Sequence, residues 1–368
     1  MNVHSTKPSI AIANLNQLAM LEGPAEVCLP DLVEILRSFV RFDGLKMSWT
    51  DAQDKVRAIW HVSPDMGAGS SSSILFQERF YNNLETKAVV ATSALLRNPK
   101  KIDNCARYGA GFFDTELYAT ILQPLGFRHA LRLVLHSHGH PLGFLTLTRG
   151  DDERPFSLED ERRLHQVQDI LSQAMAKRVG PEDHDLVASG DTAMLLCDPS
   201  GAIRNLTNNA QQFLNYIFAP DCLLADLGRS VLPQARQWLL PIVARADRPL
   251  SRTNGKVAAL YRQTRWGGFS ARAYRMNASE PGGTSLVSVN LTRYVPLAVR
   301  LMRLEAVRTL PKREKEVCLL LAHGCSAPDI AVRLTMSVHT VIGHVASLYD
   351  RFEVSSRDQL VVSLLLAE

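Results

Sequence analysis

The first half of the chain alternates between segments with helical hydrophobic spacing and short runs of β-branched and aromatic residues. Helical spacing extends over residues 29–42 and over 76–98. In the second of these segments the buried stripe would comprise Phe76, Phe80, Leu84 and Val89. The strand-like runs are KMSWT, VRAIWHV, HALRLVLHS and LGFLTLTR. A tight turn at Gly139 and Pro141 would join the last two runs, so the pattern predicts an antiparallel sheet flanked by helices.

A long helix is predicted to close this region. Ser157 and Asp160 have the spacing of a capping box. The apolar face that follows would consist of Leu164, Val167, Ile170, Leu171 and Met175. The order of elements, together with PLGFL at 141–145, Arg149 and PFSLED at 155–160, resembles a GAF domain over residues 29–178. The resemblance implies a sensory domain with a small-molecule pocket beside an antiparallel sheet.

A second sheet domain is predicted after a polar linker at 179–190. The run AMLLCDPSGAIRNLTNNAQQFL has the pattern of strand, turn, strand and helix, and this opening resembles a PAS domain. Three later strand-like runs, separated by glycine-containing turns, would complete an antiparallel sheet: VAALYRQTRW, FSARAYRMN and TSLVSVNLTR. The PAS-like region would span 191–293 and lead into a linker helix at 294–309.

Residues 310–368 have the pattern of four short helices with clear cap residues. Gly324 would end the first helix, and Ser326 with Asp329 would cap the second. Ser337 would cap the third helix after a short turn. The buried stripe of that helix would be Val341, Val345, Leu348 and Phe352.

This last segment resembles the LuxR/GerE-type helix-turn-helix module along its whole length, although Pro311 stands where the family usually has a threonine cap. The resemblance implies a transcription regulator that binds double-stranded DNA and is not an enzyme. The helix-turn-helix itself would lie at about 325–344, with its second helix in the major groove. The residues expected to contact DNA are Ser337, Thr340, Val341, Ile342, Gly343, His344, Ala346, Arg351, Lys312 and Arg313.

The predicted recognition helix carries little charge on its outward face. That face would present His339, Ile342, Gly343, Ala346 and Asp350. Residues 310–368 contain six basic and seven acidic side chains. Contacts to phosphates supply most non-specific DNA affinity, so a single domain with almost no net charge should bind DNA weakly. We therefore expect that a homodimer is needed. Arg293, Arg300, Arg303 and Arg308 could add phosphate contacts or form a solvated helix face. The alternative is a module that binds mainly another protein and DNA only weakly.

A small-molecule effector would bind the GAF-like region. The candidate ligand-binding residues are Trp60, Phe76, Phe80, Tyr118, Phe127, Arg128 and Arg132. For each aromatic residue the alternative is simple core packing. Arg132, on a predicted inner strand, needs an acidic partner or a ligand.

Composition restricts the remaining classes of function. A chain of 368 residues with 46% hydrophobic residues predicts two or three folded domains. The element patterns and the resemblances to GAF, PAS and LuxR/GerE domains imply an α+β protein whose last domain is all-α. Residues 1–28, the N-terminal segment, lack the pattern of a signal peptide, and no run is long enough to span a membrane, so we expect a cytoplasmic protein without a membrane partner. The six cysteines are far apart, and His136, His138 and His140 fall at a turn, so no metal site or cofactor is expected. Phosphate-binding loops and hydrolase motifs are absent from the sequence.

Overall fold

The chain forms two compact units, each assembled from separate stretches of sequence. The computed structural model describes residues 8–21, 24–62, 66–80, 92–98, 102–176, 186–226, 229–247, 257–277 and 285–366. The first unit comprises Met1–Thr6, Leu32–Val179 and Phe218–Val231. The second unit comprises Lys7–Asp31, Gly180–Ile217 and Leu232–Glu368. The domains that we predicted are consecutive ranges of the chain and do not show this interleaving. Hydrophobic spacing does not reveal which distant element a segment packs against.

An antiparallel sheet of five strands forms the centre of the first unit, in the order β2-β1-β5-β4-β3. The strands are β1 (Gly44–Thr50), β2 (Val56–Val62), β3 (Ile102–Asn104), β4 (Phe127–Ser137) and β5 (His140–Gly150). Their register aligns one residue from each strand in a row across the sheet. In strand order this row is His61, Lys46, Thr146, Arg132 and Asp103. Residues directly opposite each other point to the same face, so the row forms a polar stripe on one side of the sheet.

The helices described up to residue 176 are α1 (Pro8–Met20), α2 (Ala25–Phe39), α3 (Met66–Leu75), α4 (Thr92–Leu96), α5 (Leu158–Gln166) and α6 (Gln168–Ala176). Turns of π-helix occupy Phe76–Phe80 and Tyr118–Leu122. Helix α1 was not predicted, because the sequence there has no sustained amphipathic pattern. Leu84 and Val89, part of a predicted helical stripe, lie outside the described residues.

The predicted capping box at the start of α5 is confirmed. The Ser157 hydroxyl accepts a hydrogen bond from the backbone N–H of Asp160 at 3.2 Å, and the Asp160 carboxylate accepts one from the backbone N–H of Ser157 at 2.8 Å. The single closing helix that we predicted is instead divided at Val167 into α5 and α6. Val167 is fully buried at the break, so the apolar face continues across it.

The hairpin between β4 and β5 turns on two residues, His138 and Gly139, with φ of 49° and 81°. Positive φ at both central positions is the usual geometry of a two-residue hairpin turn. Pro141 therefore lies in β5, opposite His136, and not in the turn where the sequence placed it. His138 and His140 are exposed, as expected for a loop.

The second unit contains another five-stranded antiparallel sheet, in the order β7-β6-β10-β9-β8. Its strands are β6 (Leu186–Cys197), β7 (Ile203–Leu206), β8 (Ala258–Thr264), β9 (Gly267–Met276) and β10 (Leu286–Pro296). Residues 186–190, which we assigned to a linker, are the start of β6. Gly267 begins β9 with φ of 109°, and a Cβ there would lie 2.2 Å from the carbonyl oxygen of Tyr294. The two sheets share one topology, since each has its own strands in the order second, first, fifth, fourth, third.

The remaining helices are α7 (Asn208–Phe218), α8 (Leu232–Ala246), α9 (Leu297–Arg303), α10 (Glu305–Arg308), α11 (Lys312–Ala322), α12 (Ala327–Leu334), α13 (Val338–Arg351) and α14 (Arg357–Leu366). The core against the second sheet includes Tyr216 of α7, whose ring stacks on that of Trp266 with centroids 4.0 Å apart. Such stacking adds to the free energy gained from burying the two rings.

No described helix combines the length and the apolar character needed to cross a membrane. All six cysteines have free thiols, and those of Cys28, Cys105, Cys197 and Cys318 are buried. Burial raises the pKa of the Cys318 thiol to about 12, so this group stays protonated at neutral pH. Within the described ranges, His, Cys, Asp and Glu side chains form no group of three that could hold a metal ion.

Candidate functional site

Helices α11 to α14 form a small bundle in which local capping fixes the ends of the central pair. Ser326 and Asp329 form the predicted capping box at the start of α12, and Thr335 ends that helix with a left-handed φ of 54°. After the turn at 335–337, the Ser337 hydroxyl accepts a hydrogen bond from the backbone N–H of Thr340 at 3.0 Å. Pro311 precedes α11 without a side-chain cap. The caps predicted for α12 and α13 are confirmed, and the short turn between them fixes their crossing.

Helix α13 has a buried face and an open face. Val341 and Leu348 have no exposed surface, while Ile342 exposes 54% of its surface. The exposed residues on the opposite side are His339, Thr340, Ile342, Gly343, Ala346 and Asp350. Val341 was predicted among the DNA-contacting residues, but its burial shows that it packs beneath the helix and fixes the direction of its neighbours. Ser337, Lys312, Arg313 and Arg351 are exposed, and His344 is half-buried.

Gly343 lies in the middle of the open face of α13. A Cβ built at this position would meet no other atom within 4 Å. Glycine in a helix interior lowers helix stability by about 1 kcal/mol relative to alanine. Intramolecular packing therefore does not require this glycine, and its small size is available to a partner that approaches the helix backbone.

Few of the basic side chains in the bundle are available to an external anion. Arg313 pairs with Glu316 at 2.8 Å, and Arg357 lies 3.5 Å from Asp358. Lys315 is buried, and its ammonium group donates hydrogen bonds to the side-chain oxygen of Asn14 and, at 2.9 Å, to the carbonyl oxygen of Arg308. The exposed basic side chains that form no ion pair with any described residue are Lys312, Arg333 and Arg351.

Two of the arginines before the bundle have structural roles in the second unit. Arg293 is 1% exposed and donates hydrogen bonds to the carbonyl oxygens of Trp266, at 3.0 Å, and Val27, at 2.9 Å. Arg303 lies 2.7 Å from the carboxylate of Asp31 and 2.6 Å from that of Asp191. The expectation that these two arginines could contact phosphates is wrong, because their donors are already engaged inside the unit.

The first unit contains a cavity of about 70 Å³ that is partly open to solvent. The sheet contributes Gly44, Lys46, His61, Phe127, Thr146 and Thr148 to its lining, and the other apolar lining residues include Ile121, Leu122 and Leu125. Phe127 was predicted as a ligand-binding residue. Lys46 and His61 were not predicted as ligand-binding residues. A single lysine and a single histidine on two short strands form no recognisable motif in the sequence, and only the pairing of the strands places them side by side.

The other predicted ligand-binding residues lie elsewhere in the first unit. Phe80 and Tyr118 pack in an aromatic cluster with Phe112, and Phe76 lies at its edge. Trp60 is 4% exposed and lies opposite Met47, on the other face of the sheet from His61. These residues form the core or its border, which was the alternative left open from the sequence.

The two predicted cationic residues also have internal partners. Arg132 pairs with Asp103, with Nε 2.7 Å from the carboxylate oxygen Oδ2. The Tyr108 hydroxyl donates a hydrogen bond to the same carboxylate. Arg128 is paired with Asp151 at 2.8 Å and stacks over the Phe113 ring. Asp103 thus supplies the acidic partner that the buried Arg132 guanidinium requires.

Comparison with known proteins finds a family that matches the helical bundle. Residues 308–364 match the profile of the GerE family, described as bacterial regulatory proteins of the luxR family. No curated protein matches the chain.

Several solved structures show a weak likeness. A structure of the Vibrio cholerae VqmA dimer in the absence of target DNA is 19% identical, with 48% of this chain and 82% of that chain covered and a TM-score of 0.19. A structure of Escherichia coli SdiA is 12% identical, with 95% of this chain and 92% of that chain covered and a TM-score of 0.28. At TM-scores this low, the likeness carries no argument about fold or function.

The family match and the bundle geometry agree on the same part of the chain. The matched segment begins within α10 and ends within α14, and it contains the capped pair α12 and α13 together with the open face of α13. Residues 308–364 are a helix-turn-helix domain of the LuxR type.

Proposed function

We propose that the protein is a sequence-specific DNA-binding transcription regulator in which α13 is the recognition helix. The observation that carries the proposal is the open face of α13, where Thr340, Ile342, Gly343 and Ala346 are exposed while Val341 and Leu348 anchor the helix from below. A helix-turn-helix lays such a face into the major groove. Ile342 and Ala346 would read thymine methyl groups, and Gly343 would let the helix backbone approach the bases.

The contacts to the phosphates would come from the rim of this face. Thr340 lies on this face and the half-buried His344 lies beside it, while Lys312 and Arg351 stand at helix ends with exposed side chains. So few cations give weak binding for one copy of the domain. We therefore propose a homodimer that reads two half-sites, since two linked domains double the number of phosphate contacts.

The sheet units would control the DNA-binding domain. Both sheets have the strand order second, first, fifth, fourth, third, which supports a GAF-like assignment for the first unit and a PAS-like assignment for the second. A small-molecule effector in the first unit would shift the population of two arrangements of the dimer and so alter DNA affinity. Helix α9, held by the ion pairs of Arg303, directly precedes the DNA-binding domain in the chain and would transmit the change.

Selection of bound sequences from a random duplex pool by the full-length protein tests the proposed function. We expect an enriched motif with two related half-sites. The variant Ile342→Ala should bind the selected duplex at least about tenfold more weakly, because it removes three carbon atoms from the apolar contact, each worth about 0.8 kcal/mol when buried. Met276→Ala, which removes a 43% exposed apolar side chain from β9, is the matched control and should bind as the parent protein does.

The second candidate function is a protein-interaction module, favoured by the absence of any lysine or arginine among the exposed residues of the open face, 339–350. Under this alternative, selection enriches no motif, and binding to any duplex stays weak even at low salt. Retained binding of Ile342→Ala to an enriched motif would instead show that another surface reads the DNA.

A further inference from the structure

The cavity of the first unit has a charged floor and apolar walls. Its floor is the polar stripe of the sheet, with Lys46 placed between His61 and Thr146 by the strand register. Its walls include Ile121, Leu122, Leu125 and Phe127. A site of this kind suits a small molecule with one polar end and an apolar body.

Two hydroxyl groups on this floor lack partners. Thr146 and Thr148 are each 8% exposed, and their Oγ1 atoms form no hydrogen bond within the part of the chain that the structure describes. Both residues line the cavity. A buried hydroxyl without a partner is costly, and a ligand acceptor at this position would remove that cost.

The charge on the floor is also unbalanced. Arg132 is neutralised by its ion pair with Asp103, but Lys46 has no carboxylate within salt-bridge distance among the described residues. Its ammonium group lies over the Phe76 ring, 4.9 Å from the centroid. Burial and the nearby Arg132 lower the pKa of Lys46 to about 8. One cation therefore remains to be neutralised, which matches a ligand with a single negative charge.

Gly44 positions two of the residues that line the cavity, Thr148 and Phe127. A Cβ at this position would lie 2.5 Å from Thr148 Oγ1 and 2.7 Å from Phe127 Cζ. A side chain here would push against both the hydroxyl and the apolar wall. Glycine at this position therefore lets the Thr148 hydroxyl and the Phe127 ring pack directly against the backbone of β1, where the polar floor meets the apolar side of the cavity.

We propose that this cavity binds a small monocarboxylic acid, whose carboxylate contacts the Lys46 ammonium and the Thr146 and Thr148 hydroxyls while its apolar body packs against Phe127 and the leucines. His61, whose pKa is lowered to about 4 by burial and by Lys46, is neutral at physiological pH and adds no second positive charge. That this acid is the effector of DNA binding rests on the proposed function; its binding to the cavity does not.

Calorimetric titration of the full-length protein with four probes tests the proposal: hexanoate, benzoate, hexan-1-ol and hexyl phosphate. We expect at least one carboxylate to bind more tightly than hexan-1-ol and hexyl phosphate. Lys46→Met should weaken that binding at least about tenfold, since it removes the charge-assisted hydrogen bond to the carboxylate. Thr148→Val, which keeps the shape and removes the hydroxyl, should weaken it less. Lys55→Met, which removes an exposed lysine before β2, is the control and should leave affinity unchanged.

Binding should also weaken as the pH rises through about 8, where Lys46 loses its proton. The proposal is overturned if no carboxylate binds, if hexan-1-ol binds as tightly as the carboxylates, or if hexyl phosphate binds most tightly. It is also overturned if Lys46→Met, shown to be folded by circular dichroism, binds the carboxylate with unchanged affinity. Titration of a selected DNA duplex is measured separately. A protein that binds the acid but no DNA would refute the proposed function and leave this inference standing. A protein that binds DNA but no acid would refute this inference and leave the proposed function standing.

Discussion

The ammonium group of Lys315 in α11 is held by the side chain of Asn14 in α1, a residue 301 positions earlier in the chain. Lys315 is 3% exposed and Asn14 is 2% exposed. Burial lowers the pKa of Lys315, and neutral oxygen acceptors, from Asn14 and from Arg308, compensate for part of the lost hydration. The contact ties the first helix of the helix-turn-helix domain to an early helix of the same unit.

Removal of the Asn14 side chain is expected to destabilise the second unit. Asn14→Ala leaves the buried ammonium with one fewer acceptor, so the free energy of unfolding should fall by about 1–3 kcal/mol. Urea unfolding monitored by circular dichroism measures the change. Asn16→Ala, on the same helix at a half-buried position, is the control and should cost much less. Equal losses for the two variants would mean that the hydrogen bond to Lys315 contributes nothing.

Neighbouring residues of α13 should separate stability from DNA binding. Val341→Ala removes methyl groups from a fully buried site and should lower the free energy of unfolding by about 2 kcal/mol. Ile342→Ala changes an exposed side chain and should alter stability by less than about 0.5 kcal/mol. Fluorescence anisotropy with a selected duplex should show the opposite order of effects at a temperature where both variants are folded. The prediction holds only if Val341→Ala is less stable but binds DNA normally and Ile342→Ala is stable but binds DNA more weakly.

Gly343→Ala should stabilise the protein while weakening DNA binding. The added methyl group meets no atom within 4 Å, so the gain in helix propensity of about 1 kcal/mol should appear in full. The same methyl group would stand between the helix and the bases. Thermal unfolding and anisotropy measure the two effects. A variant that is stabilised and binds DNA normally would show that the backbone at Gly343 does not come close to the DNA.

The salt dependence of DNA binding should be shallow. Lys312, Arg333 and Arg351 are the exposed basic side chains of the domain that pair with no described carboxylate. At a slope of about −0.9 per phosphate contact, one domain should give a slope of about −3 in a plot of log K against log salt, and a dimer about twice that. Arg351→Gln should reduce the magnitude by about 1 per domain. A much steeper slope would indicate that arginines outside the domain also contact the phosphates.

Acid should destabilise the first unit through His61. The pKa of this histidine is lowered from 6.5 to about 4 in the folded protein, so between these values the unfolded state binds the proton and the folded state does not. Stability is therefore full above about pH 6.5 and decreases as the pH falls towards 4, by up to about 3 kcal/mol. Melting temperatures at pH 7 and pH 5 should differ less for His61→Gln than for the parent protein. Identical pH dependence in the two proteins would contradict this assignment.

Several local features of this protein could be predicted from its sequence. The capping boxes of Ser157 with Asp160 and of Ser326 with Asp329 were predicted correctly, because each depends on residues within one turn of helix. The buried position of Leu348 and the open position of Ile342 followed from helical periodicity in the same way. The turn position of Pro141 and the continuity of the helix through Val167 were predicted wrongly, since the strand register and the helix break depend on what packs around them.

Contacts between residues far apart in the chain depend on the tertiary fold. The order of the strands brings Lys46 beside Thr146 and Arg132 beside Asp103, and nothing in the spacing of these residues along the chain encodes that register. The buried Arg293 and Lys315 are the clearest cases, because lysine and arginine side chains are almost never fully buried unless they are paired. Each is satisfied inside by oxygen atoms from segments far away in the chain, since a buried cation must replace the hydration that it gives up.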